Sequence, residues 1–175
     1  LFGLTGIFGE LIQVGAMLIT AGRASFAVLA LFISIRSQGR GLGQGMKAAD
    51  FRTLLMASIM LAVHWATFFV AVKVGGVAIA TLGFASFPAF ITLCEWAVLR
   101  ERVTVSEWII LALVTFGLLL VTPSFDFANQ GTVGLAWGIL SGLSFALLAL
   151  SNRRSAVGLD PMQVACGQNI VVVLT

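Results

Sequence analysis

Apolar runs long enough to cross a bilayer recur along the whole chain, and that recurrence limits the fold more than any other feature. They cover about 1–12, 18–35, 53–73, 76–98, 106–122, 131–150 and 161–175. A helix needs ~20 apolar residues to cross ~30 Å of hydrocarbon. Soluble domains carry ~25% charged residues; here the charged share is 10% against 59% hydrophobic. A soluble fold of this size cannot hide so much apolar surface, whereas a bilayer is itself an apolar solvent. The expected class is an all-α membrane protein with about seven transmembrane helices and the lipid bilayer as its partner.

The net charge of +3 does not indicate nucleic acid, because the basic residues sit in short connections between apolar runs. Arg36, Arg40, Lys47 and Arg52 follow the second run, Arg100 and Arg102 the fourth, and Arg153 and Arg154 the sixth. The other connections carry almost no basic residues, so the positive-inside rule makes the arginine-rich ones cytoplasmic. The glycine-rich stretch 39–45 lacks a preceding strand and the Gly-Lys-Ser/Thr ending of a phosphate cradle, and reads as a linker. Cys94 and Cys166 lie inside apolar runs and read as small buried apolar residues, with no disulfide or metal site expected. No signal peptide is read, and both ends are expected to be cuts through helices.

An internal repeat is expected. Ile19-Thr20-Ala21-Gly22-Arg23-Ala24 aligns with Val164-Ala165-Cys166-Gly167-Gln168-Asn169 at an offset of 145 residues, and Met17 then aligns with Met162. A second copy would start five segments after the first. Five is odd, so that copy would be inverted in the membrane, a common plan of secondary transporters. Residues 1–122 are then a first repeat, and 131–175 the start of a second.

Certain motifs go further. His64-Trp65-Ala66-Thr67-Phe68-Phe69, Gly75-Gly76-Val77-Ala78-Ile79-Ala80-Thr81-Leu82, Phe87-Pro88 and Leu99-Arg100-Glu101-Arg102-Val103-Thr104 together resemble the EamA-like branch of the drug/metabolite transporter superfamily. The resemblance implies a ten-helix bundle made of two inverted five-helix repeats. It also implies export of amino acids and other small metabolites across the bacterial inner membrane. Arg23 falls where the family often carries an arginine in its second helix. Pro88 matches the proline of the fourth helix, and Glu101 the glutamate of the Glu-Arg-Leu corner. Trp137-Gly138 opens the sixth helix. Glu10 departs from the lysine expected there.

Ionisable groups within membrane segments are costly, which makes each a candidate site. His64 is the sole histidine, and it reads as lining a path, as a proton-coupling group, or as packing against a neighbouring helix. Substrate-path candidates are His64, Trp65, Thr81, Ser86, Trp137 and Ser141. Structural or gating candidates are Glu10, Arg23, Pro88, Glu95 and Glu101. Glu10 and Arg23 flank the first turn at similar distances, which predicts either an ion pair or Glu10 at the interface with Arg23 snorkelling outward. Glu95, about one turn before Arg100, predicts a local pair with an arginine. Pro88 predicts a kink. Gly134, Gly138 and Gly142 form a small-residue stripe for close helix packing. No metal, cofactor or enzyme constellation is legible. The expected function is a secondary transporter exporting amino acids or related metabolites by alternating access. The alternative is a non-transporting membrane protein, an intramembrane enzyme or helical scaffold. Oligomeric state is left open.

Overall fold

The computed structural model describes residues 2–43, 48–121, 126, 128–155 and 160–175. Residues 44–45 of the glycine-rich stretch, Lys47, residue 122 of the fifth run and the side chain of Arg154 lie outside the described residues. The described residues form helices α1 (Phe2–Leu11), α2 (Ala16–Ser37), α3 (Ala48–Phe84), α4 (Phe87–Ala97), α5 (Val105–Val121), α6 (Gln130–Ser155) and α7 (Pro161–Leu174), with no strand among them. α2, α3 and α6 are long and apolar enough to cross a membrane; α1, α4, α5 and α7 are shorter apolar helices. Large apolar side chains remain exposed along α5, among them Leu113, Phe116 and Leu120, the surface a bilayer covers.

α3 is two limbs, 48–75 and 77–84. Gly76 joins them with φ 82° and ψ 164°, a conformation that a Cβ would forbid. The chain doubles back there: the rings of His64 and Phe84 lie 5.1 Å apart. In a straight helix their backbones would be about 30 Å apart. The sequence places its division at the same glycines. The run 76–98, expected as one helix, is broken instead at Ala85 and Ser86. Pro88 lies in the first turn of α4 and has no N–H with which to continue the ladder from Phe84.

The end of the first limb of α3, the second limb and the start of α4 pack closely on α6. The contact is made by the predicted glycine stripe. A Cβ on Gly134 would sit 2.5 Å from Gly75 Cα, one on Gly138 2.9 Å from Ala80 O, and one on Gly142 2.6 Å from Ser86 Oγ. Backbones therefore meet where side chains would hold them apart. Beside this seam lies a core of Phe68, Phe69, Ala71, Val72, Ala80 and Phe84. A second core joins Ala24, Ala57, Leu61, Leu148 and Val172.

α2 and α7 pack antiparallel. The end of α2 meets the start of α7 through Gln38 Nε2, 3.4 Å from Met162 Sδ. At the other end, Met17 and Leu18 share a cavity with Val172, Val173 and Thr175. α2 closes in a glycine cap. Gly39, with φ 71°, donates to Arg36 O, and Arg40 N–H donates to Ile35 O. These are the paired bonds of a Schellman ending. The cap delivers Arg40 to Asp160, 2.7 Å away.

α4 ends differently. Arg100 takes φ 55° in place of a glycine, and Glu101 N–H returns to Glu95 O at 2.9 Å. A left-handed residue with a Cβ costs roughly 1–2 kcal/mol, partly offset by the unfolded-state entropy of glycine. Arg100→Gly should therefore raise thermal stability, by up to about 1 kcal/mol. A lowered Tm in detergent would contradict the assignment of strain.

Candidate functional site

Two ionisable side chains of the spanning helices, Arg23 of α2 and His64 of α3, come together where α2, the first limb of α3 and α6 meet. His64 is 4% exposed. Its Nδ1 lies 2.8 Å from Ser141 Oγ and 3.1 Å from Ser141 O, and Ser141 Oγ donates to His64 O at 3.0 Å. The ring is walled by Phe84 at 5.1 Å, Phe145 at 5.0 Å and Phe68 at 6.4 Å between centroids. Next along the helix, Trp65 carries the guanidinium of Arg23, 4.4 Å from the ring centroid. A cation over an indole face is attracted by the ring quadrupole, by about 0.5–2 kcal/mol.

Arg23 borders two spaces. The smaller, about 20 Å³, is shared with Thr5, His64, Trp65, Phe68, Phe69 and Phe84. The larger, about 400 Å³, opens between α1 and α2, with Phe8, Ile12, Leu18, Phe26 and Phe69 in its walls. Among the described residues, Arg23 is the one charged residue of that larger wall.

The structure thus joins His64, Trp65 and Ser141 from the path candidates, and adds Arg23 to them. Ser86 is buried, and its hydroxyl donates to Gly83 O at 2.6 Å, which places it in the helix seam. Thr81 is half-buried. Trp137 is 37% exposed and lies outside the small cavity. The expected Glu10–Arg23 ion pair is absent among the described residues. Glu10 is exposed near the end of α1, while Arg23 turns to Trp65. Sequence reasoning passed over Thr5, Phe26 and Phe145. Phe145 carried a signal, standing four residues after Ser141 on one helix face.

Ion pairs gather at the end of the bundle that carries the arginines. Arg153 bridges Glu95 at 2.5 Å and Glu101 at 2.7 Å. Glu95 therefore pairs with α6 and not with nearby Arg100, whose backbone turns away. Asp160 caps α7 by accepting Met162 N–H at 3.0 Å, and accepts Arg40 from the end of α2. That amide, and after it the guanidinium, hold the Asp160 carboxyl below the usual carboxylate range. A depressed carboxylate contributes stability in full above the unfolded pKa, near ~4. The contribution is lost as pH falls through the folded value. Asp160→Asn should accordingly lose less Tm than the parent protein between about pH 5 and pH 3. An identical acid-side loss would contradict this role.

Among the described residues no group of His, Cys, Asp and Glu has the grouping of a metal site. Ser141 is fully buried and its hydroxyl is engaged by His64, an arrangement that ties helices together and exposes no nucleophile.

Comparison with known proteins agrees with this architecture. A region of 101 residues, 57% of the chain, is 31% identical to a Bacillus subtilis (strain 168) protein described as "Uncharacterized transporter YwfM". The matched region spans 34% of that relative, about a third of its length. No solved structure matches. The model of the EamA-like transporter family matches residues 1–122, most of the chain. With its helices, apolar spans and glycine seam, the chain belongs to the EamA-like transporter family.

Proposed function

We propose that the protein is a secondary transporter that exports amino acids or related small metabolites by alternating access. Its site is the bacterial inner membrane, with the arginine-bearing end in the cytoplasm. The observation that carries this reading is the placement of Arg23. A guanidinium inside a spanning helix is costly, yet this one stands in the wall of a largely apolar, open groove of about 400 Å³, with Thr5 its other polar side chain among the described residues. Ligand sites have volumes of ~300–1,000 Å³ and apolar walls with a few placed polar groups. One cation among phenylalanines suits a small molecule with a carboxylate and an apolar body.

The division into repeats belongs to the same proposal: 1–122 is the first copy and 131–175 the start of the second. The antiparallel packing of α2 on α7 supports it, since inverted copies place equivalent helices in opposite senses. The description of the Bacillus subtilis relative as a transporter supports it as well. Arg153 and Arg40 then act as clasps that hold the cytoplasmic end closed and release when it opens.

The test compares internal and external metabolite pools of cells expressing the full-length protein, a His64→Ala variant or an empty vector. A specific external rise that the variant weakens is the expected result. Identical pools in all three strains would reject export.

A further inference from the structure

The contacts of His64 fix where its ring proton sits. Ser141 O is a carbonyl and only accepts. It lies 3.1 Å from His64 Nδ1. A bare Nδ1 would set two lone pairs against each other at that distance. Ser141 Oγ has one proton, and two directions in which to donate it: His64 O at 3.0 Å and His64 Nδ1 at 2.8 Å. Donation to Nδ1 would leave the lone-pair clash with Ser141 O and forgo the bond to His64 O. Donation to His64 O leaves Oγ as an acceptor, and Nδ1–H then serves both Ser141 oxygens. One protonation pattern satisfies all three contacts. Thr67 does not displace the serine, because its shorter hydroxyl bond goes to Val63 O, at 2.6 Å against 3.1 Å to His64 O.

We infer that Ser141 is a positioning residue that holds His64 as the Nδ1–H tautomer and leaves Nε2 as a bare acceptor. Among the described residues Nε2 has no hydrogen-bond partner, and the ring borders the small cavity that Arg23, Trp65 and Thr5 also border. A neutral imidazole carries one donor and one acceptor, and which is which follows from the partner of the other nitrogen. The residues bordering that cavity then include an acceptor on His64 and donors on Arg23. The cavity, at about 20 Å³, admits a group the size of one water. Ser141 and His64 are 77 residues apart, so α6 sets the chemistry offered by α3.

The experiment is nitrogen-15 NMR of the full-length protein in lipid, labelled at histidine, with His64→Asn used to assign the His64 signals by difference. The nitrogen coupled to both ring carbon protons is Nε2. It should resonate as a bare nitrogen, and Nδ1 as a protonated one. Ser141→Ala should lose this single pattern and give a mixture of tautomers, while Ser141→Thr, which keeps the hydroxyl, should retain it. A protonated Nε2 in the parent protein overturns the inference, as does a tautomer unchanged in Ser141→Ala. The parent spectrum decides the matter even where a variant fails to fold, and none of these readings depends on transport.

Discussion

Gly134→Leu should abolish the folded bundle. The Cβ alone would meet Gly75 Cα at 2.5 Å and Gly75 N at 2.8 Å. Both are backbone atoms, with no rotamer by which to retreat. Overpacking a core costs ~1–3 kcal/mol where side chains can shift; here a helix axis must move. Gly134→Ala should already lower Tm, by an amount corresponding to at least about 1–3 kcal/mol. Gly117, inside α5 with nothing within 4 Å of a built Cβ, is the control, and Gly117→Ala should keep or raise Tm, by up to about 1 kcal/mol. Thermal denaturation in detergent with size-exclusion profiles reads all three. Equal tolerance at 134 and 117 would remove the backbone seam between α3 and α6 from the account.

The second large effect concerns Arg23. On the proposed path, Arg23→Ala should lower export by about tenfold or more at equal protein in the membrane. Tenfold corresponds to about 1.4 kcal/mol, a modest demand on a cation paired with a carboxylate at low dielectric. Arg23→Lys should restore only part of the rate. Lysine keeps the charge but loses the planar group that stacks on Trp65 and the fork that grips a carboxylate. Full restoration by lysine would reduce Arg23 to a point charge. An undiminished rate in Arg23→Ala would remove it from the path.

The helices were legible because their signal is local. Each apolar run announces itself by length, and the stripe Gly134, Gly138, Gly142 announces a close contact by its spacing of four. The identity of the facing helix was not legible, since no local pattern says that Gly134 meets Gly75. The same limit applies to the site. His64, Trp65 and Ser141 could each be singled out, but the pairing of His64 with Ser141 is a product of that glycine seam. Where pairing was argued from sequence distance alone, it went astray. Glu10 and Arg23 flank one turn, yet the rotation of α2 sends Arg23 to Trp65. Glu95 stands near Arg100, yet the left-handed backbone at Arg100 leaves Arg153 to bridge Glu95 and Glu101. Pro88 was read as a kink within one helix, and it sits in the first turn after a full break.

The central claim is that this family member moves small molecules past Arg23, Trp65 and His64. It is tested most directly by efflux from proteoliposomes that hold the full-length protein and an internal mixture of the twenty amino acids. At least one amino acid should leave faster than from protein-free vesicles, and Arg23→Ala and His64→Ala should each slow that amino acid. Efflux at the protein-free rate for every amino acid, or efflux indifferent to both substitutions, would contradict the account.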